Sequence, residues 1–387
     1  MITRLHVRNF KSLRELDMEL GPINVLVGPN MAGKSNILDV FHFLHDTFFP
    51  KPGREGVFFA VAQRGGIDEV LWKGTDQRSI TIAVEATDPA NGANYKYELE
   101  LVAGAGGYVT TQNESLNLIQ SGSVHDLIAL KQGFIWLKNA DGKELGGFGA
   151  SGATALQHAS PTWDGYRFYE MVKLWRFYHL LPPKMKESSK MASGQVLDEP
   201  GGDNLSAWLM WLQTHSPEAF AKVNEVLHDL LPNVRQIRTI PTEDGNVHLS
   251  VSEDGLRRPT SVWQASDGFL VLTALLSLIY VPPERGGTLY SVEEPENHLH
   301  PRLLETLVTL LRQVQGSGGS QAQFLFATQS PYFLDQFSLD EVYWVEKKKG
   351  ETKAYRPSDK QHLRKLVEDR ELGLGDLMYT GALGTEK

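Results

Sequence analysis

Residues 23–48 read INVLVGPNMAGKSNILDVFHFLHDTF, and this stretch decides how the rest of the chain is taken. A short, mostly apolar run leads into a glycine-framed turn, and an amphipathic segment follows. The turn, GPNMAGKS at 28–35, satisfies G-x-x-x-x-G-K-[S/T] at every fixed position. Between a strand and a helix such a turn aims backbone N–H groups at an anion, and the helix N-terminus favours negative charge there. The expected cradle is Pro29, Asn30, Met31, Ala32, Gly33, Lys34, Ser35 and Asn36. Lys34 would reach phosphate oxygens, and the Ser35 hydroxyl would bind Mg2+. The blander reading is a glycine turn with no ligand; the flanking strand and helix favour the cradle.

Working outward, TLYSV (288–292) and QFLFAT (323–328) are further short apolar runs, as expected for strands covered on both faces of a parallel sheet. After Pro301, apolar residues at 303, 304, 307, 308, 310, 311 and 314 mark one face of a helix. SITIAVE and YKYELELV instead alternate, with DPANGAN between them, which predicts a hairpin with one wet face. Together with the first 20 residues it predicts an antiparallel lobe. Residues 162–231 read as helical, interrupted by a polar, glycine-bearing stretch at 184–203. The expected fold is α/β, with a mostly parallel core sheet, an antiparallel β lobe and a helical insertion. The expected organisation is one domain over 1–387: an N-terminal lobe (1–149), the insertion (150–231) and a C-terminal lobe (232–387).

The bulk numbers narrow the class. The chain has 387 residues, 41% hydrophobic and 22% charged, as in soluble globular proteins. Zero cysteine excludes disulfides and thiolate metal sites and suits a cytoplasmic location. The opening MITRLHVRNF lacks the apolar core of a signal peptide. GFLVLTALLSLIYV at 268–281 is shorter than the ~20 residues a membrane helix needs, so it predicts a buried core helix and no membrane partner. A net charge of −9 supplies no global field for nucleic acid.

YSVEEPENHLHP at 290–301 crowds Glu293, Glu294, Glu296, His298 and His300 together. A phosphate loop needs an acidic strand end to hold Mg2+ and polarise water. Glu293 fits the magnesium side, and Glu294 fits the general base on water. The alternative is zinc on His298 and His300. An i, i+2 pair does not share a helix face, and the strong helical zinc spacing is i, i+4.

The segments NFKSL, GPNMAGKSN, SDGFL, VEEPENHLHP and TQSPYFLD, in that order, resemble the ABC-type ATPases of the RecF/SMC group. They are especially similar to the OLD-like predicted ATPases of bacteria. YHLLPPKM, GGDNLSAWL and LGDLMYTGALG resemble a branch of short single-polypeptide members. The resemblance implies ATP as ligand, Mg2+ as cofactor and a homodimer that sandwiches ATP. Ser266 and Gly268 match the signature that contacts the γ-phosphate held by the other subunit. Asp267 replaces a glycine there, and it is expected to point away and cap the helix. ENHLHP matches the loop that crosses the dimer interface. Gln63, 29 residues past Lys34, is the candidate Q-loop glutamine near Mg2+, against a plain surface glutamine. Asn9, Lys11 and Ser12 lie near the nucleotide in similar proteins. Gln329 stands where the family has a switch histidine; it can donate a hydrogen bond but carries no proton or charge, which predicts slow hydrolysis with little pH dependence.

Two rivals fit less well. A transporter subunit has its loop and signature roughly a hundred residues apart by family resemblance, whereas 231 positions separate Ser35 and Ser266. A small-molecule kinase explains neither SDGFL nor TQSPYFLD. The 58 residues after Gln329 are too few for the nuclease domain of larger OLD proteins, so DNA cleavage would need a nuclease or effector partner. Direct DNA contact has two candidate segments. KLWRFYHLLPPKMK mixes Lys173, Arg176, Lys184 and Lys186 with Trp175, Phe177 and Tyr178, either to stack on single strands or to pack inward from an amphipathic helix. EKKKGETKAYRPSDKQHLRK (346–365) is locally basic, and its blander reading is a solvated hairpin and helix. The remaining alternative is a regulatory module that switches a toxin or effector with ATP and touches no nucleic acid. Phage defence or DNA repair is the setting the resemblance implies.

Overall fold

The computed structural model describes residues 1–120, 122–131, 133–149, 152–190, 196–316, 322–368 and 372–384. Contacts divide the chain into two compact units. One comprises Met1–Trp175, Gln323–Gln329 and Ser338–Lys387; the other comprises Arg176–Ala322 and Ser330–Phe337.

The first unit carries an eight-stranded sheet. Its order is Leu13–Glu19, Ile2–Phe10, Ser79–Thr87, Asn94–Ala103, Val109–Gln120, Ser123–Lys131, Phe134–Lys138 and Glu144–Gly149. Every pairing in it is antiparallel. The expected SITIAVE/YKYELELV hairpin lies at its centre, Ser79 facing Val102 and Thr87 facing Asn94. The largest sheet is therefore antiparallel and is the expected β lobe, built on the first strands and the hairpin; a mostly parallel architecture is not borne out. Short turns join most of the neighbouring strands here, and a short turn can only return the chain antiparallel; Ile2–Phe10 and Ser79–Thr87 also pair antiparallel but are joined by a long path through Ile23–Val27 and Lys34–Phe48. Parallel pairing is present in this unit where Ile23–Val27 lies between Gln323–Thr328 and Val342–Lys348. Ile23–Val27 and Gln323–Thr328 are buried at every position, as their unalternating apolar runs require. Val342–Lys348 then turns back on Glu351–Tyr355 as an antiparallel hairpin, with helix Gln361–Glu368 after it. The basic stretch 346–365 thus forms a hairpin and a helix. The phosphate-loop helix, Lys34–Phe48, buries Ile37, Leu38, Val40, Phe41, Phe43 and Leu44.

The second unit has helices Leu205–His215, Pro217–Leu230, Asp267–Ile279 and Pro301–Gly316, strand Leu289–Glu293, and a small antiparallel sheet built on Val234–Pro241 and Asn246–Glu253. Helix Asp267–Ile279 is buried at every position from Phe269 to Ile279, as an all-round apolar helix must be. Trp208 Nε1 donates to Ser277 Oγ at 2.9 Å, which satisfies a polar group inside that core. Among the described residues no helix is long and apolar enough to cross a membrane.

The segment from Lys173 to Lys186 is not one amphipathic helix. Helix Tyr166–Lys173 ends, strand Trp175–Tyr178 follows, and a short helix Pro182–Met185 comes next. Trp175, Phe177 and Tyr178 are buried, Trp175 edge-on to Phe41 and Tyr178 stacked on Tyr290. Consecutive aromatics suit a pleated, packed surface better than a helix, and buried rings offer no face to a nucleic-acid base. The polar stretch 184–203 lies partly outside the described residues, at 191–195.

Candidate functional site

In the first unit, strand Ile23–Val27 delivers the loop to the sheet edge where α/β proteins place ligands. Gly33 holds φ +103, a conformation L side chains rarely adopt, and no side chain caps the helix that starts at Lys34. The first-turn N–H groups of such a helix suit an anion. Lys34 Nζ donates to the carbonyls of Gly28 (2.8 Å) and Pro29 (3.1 Å), so the ammonium is folded over the loop. Met31 forms the exposed tip at φ +63. Two close approaches frame the loop. A Cβ on Gly28 would stand 2.0 Å from Val345 O, and one on Gly33 would stand 2.0 Å from Thr352 Oγ1.

The NFKS turn packs beside the loop. Asn9 (φ +58) donates from Nδ2 to Ser79 O at 3.1 Å. Lys11 (φ +49) pairs with Asp39 at 2.6 Å, and Asp39 also holds Arg64 at 2.6 Å. Arg64 reaches Asp46 at 2.9 Å as well; burial works against its charge, but the hydrogen bonds and charges of Asp39 and then Asp46 outweigh that and raise its pKa. Asn36 Nδ2 donates to Ser12 Oγ at 2.6 Å. An open cavity of about 570 Å³ adjoins, lined by Lys11, Asn36, Arg64, Trp72, Lys347 and Lys349 among others. Gln63 is exposed at the C-terminal end of helix Gly56–Ala62, its N–H donating to Phe59 O. Gln329, half-buried, follows strand Gln323–Thr328 directly.

In the second unit, Ser266 is the N-cap of helix Asp267–Ile279, and its Oγ accepts from Phe269 N at 3.3 Å. This corrects the expectation that Asp267 caps the helix. A cap residue must be extended, as Ser266 is, whereas Asp267 is already helical. The Asp267 carboxylate instead accepts from Lys186 Nζ at 2.7 Å and lies 3.9 Å from His298 Nδ1. Lys186, then His298, hold its carboxyl below the usual range, and the helix N-terminus favours the same charge. Gly268 abuts the His298 carbonyl, where a Cβ would come within 2.4 Å. Strand Leu289–Glu293 ends at Glu293, and Glu294 turns the chain at φ +47. Asn297 Nδ2 donates to Glu294 Oε2 at 2.8 Å. His300 Nδ1 accepts from Arg302 N at 3.3 Å.

Among the described residues, the non-glycine positions with positive φ are Asn9, Lys11, Met31, Glu294, His298 and Lys349. All but Lys349 fall inside the segments that carry the sequence motifs. Backbone strain of this kind gathers where function over-determines the geometry.

Residues 23–335 match the family described as "AAA domain, putative AbiEii toxin, Type IV TA system". The chain belongs to this family, within the ABC-type P-loop ATPases of the RecF/SMC/OLD group. An "OLD nuclease" of Thermus scotoductus is 53% identical over 38 residues, 10% of this chain and 7% of that protein. A "DNA replication and repair protein RecF" of Roseiflexus castenholzii is 38% identical over 55 residues, 14% of each protein. The chain therefore covers a small fraction of the length of these relatives. The fold is similar to that of an SMC head solved bound to the C-winged helix domain of ScpA. That likeness has TM-score 0.55 and 16% identity, over 92% of this chain and 97% of the other.

Two residues that matter to this geometry carry no motif. Thr352 and Arg64 sit in unremarkable local sequence and become visible only through their partners.

Proposed function

We propose that this AAA-domain family member is a slow, Mg2+-dependent, cytoplasmic ATP hydrolase, built as a single ATPase head, that dimerises on ATP. The observation that carries the reading is the loop at 28–35: a cradle whose Gly33 has no room for a Cβ, with the Lys34 ammonium folded over it. The Ser35 hydroxyl and the Glu293 carboxylate are hard oxygen donors suited to Mg2+, with the Gln63 amide as a further ligand. These residues would hold Mg2+, which would supply positive charge to offset that of the phosphate oxygens. Lys34 binds the terminal phosphates, and Lys11 adds positive charge at the rim. Glu294 takes a proton from the attacking water while Asn297 orients its carboxylate. Gln329 donates a hydrogen bond to the γ-phosphate but cannot carry its proton.

Ser266 and Gly268 act in trans on the nucleotide of a second chain, forming an ATP sandwich. The supporting observation is Ser266, exposed at the N-terminus of a buried helix that cannot shift easily. The dimer acts in DNA repair or phage defence through DNA or a nuclease or effector partner.

A second reading, a regulatory module that switches a toxin or effector without touching nucleic acid, gains from one observation. Trp175, Phe177 and Tyr178 are buried and cannot stack on bases. Light scattering on Glu294→Gln tests the shared core: mass should double with Mg-ATP, and a chain that stays monomeric while binding ATP sinks the sandwich. Turnover raised by DNA favours the first reading; turnover raised only by a co-purifying protein favours the second.

A further inference from the structure

We infer that Thr352 is a positioning residue for the phosphate loop, and that the hairpin carrying it braces the loop in its anion-binding shape. Thr352 is fully buried on strand Glu351–Tyr355. Its hydroxyl donates to Ala32 O at 2.8 Å, and its Oγ1 lies 2.7 Å from Ser12 Oγ. A threonine hydroxyl has one proton, and Ala32 O takes it. Ser12 must therefore donate to Thr352, and Ser12 Oγ in turn accepts from Asn36 Nδ2 at 2.6 Å. The relay runs one way, from Asn36 through Ser12 and Thr352 to Ala32.

This relay pins both sides of Gly33, Lys34 and Ser35. A trans peptide points its C=O and N–H in opposite directions. Holding the Ala32 carbonyl toward Thr352 thus turns the Gly33 N–H away from Thr352, as a cradle requires. The absence of a side chain at Gly33 has the same cause, since Thr352 Oγ1 occupies the space a Cβ would need. Thr352 N also donates to Ser12 O at 2.8 Å, so the backbone holds the hydroxyl in register.

The consequence for nucleotide rests on the ATPase reading; the brace itself does not. Hydrogen exchange of the nucleotide-free protein tests it. Thr352→Val keeps the shape and removes the relay, and exchange across 32–36 should rise about tenfold. Thr352→Ser should stay within about twofold of the parent, and protection in Ser79–Thr87 should not change. Unchanged exchange in Thr352→Val overturns the proposal. If that variant fails to fold, Ser12→Ala breaks the same relay one link earlier. Mg-ATP affinity should fall about tenfold in Thr352→Val and recover in Thr352→Ser; faster exchange with unaltered affinity also overturns it. A parent chain that binds no Mg-ATP would sink the ATPase reading, while the exchange result would still decide the brace.

Discussion

Gly268 meets the carbonyl of His298 so closely that a Cβ would stand 2.4 Å from the oxygen. The start of helix Asp267–Ile279 and the ENHLHP turn are thus one packed contact, tied further by Asp267 reaching toward His298. A change at either residue is felt at both. Gly268→Ala must displace the turn, at a cost on the order of 1–3 kcal/mol. Urea unfolding should show that loss, and light scattering should show weaker ATP-driven association. Parent-like association would remove Gly268 from the trans contact.

Arg64 bridges Asp39 and Asp46 on the phosphate-loop helix, with all three side chains largely buried. Arg64→Ala leaves two carboxylates without their fork and should cost about 3–5 kcal/mol. Arg64→Lys should recover only part of this, because one ammonium cannot reproduce the forked geometry. Chemical denaturation of both variants measures the difference.

Glu114 is fully buried, accepting from Tyr97 Oη at 3.0 Å and Ala155 N at 2.8 Å. Burial pushes its carboxyl up to about 7. The folded state then holds this proton more tightly than the unfolded state. Its contribution to stability is complete at acid pH, below the unfolded pKa, and is lost as pH rises toward and through about 7. The loss should be on the order of 2–3 kcal/mol. Denaturation midpoints between pH 5 and 8 should fall more steeply for the parent than for Glu114→Gln. Equal slopes would mean Glu114 is already ionised.

Glu294→Gln should lower ATP turnover by about 10²-fold or more while leaving binding intact. Gln329→His supplies a group that titrates in the neutral range, so turnover should rise and gain a pH dependence that the parent lacks. Steady-state hydrolysis from pH 6 to 8 checks both. A parent rate that collapses through that range would contradict the role given to Gln329.

Much of the fold was legible because its signals are local. An apolar run without alternation marked Ile23–Val27 and Gln323–Thr328, and alternation marked the hairpin of Ser79–Thr87 with Asn94–Ala103. Where a local signal had two readings, it was right about burial and wrong about backbone: the aromatics at 175–178 do pack inward, but from a strand and not a helix. Asp267, beside a capping serine, is an ion-pair partner.

The sequence by itself determined the strand–turn–helix of 23–48, the strand that ends at Glu293 and the apolar helix opened by Asp267, since each is a short run whose pattern already encodes its backbone. Only the tertiary structure decided how the segments are held. Thr352 reaches Ala32 across 320 positions, and Lys186 reaches Asp267 across 81. Contacts between distant positions leave no period in either segment, so nothing short of the folded chain can bring such partners together.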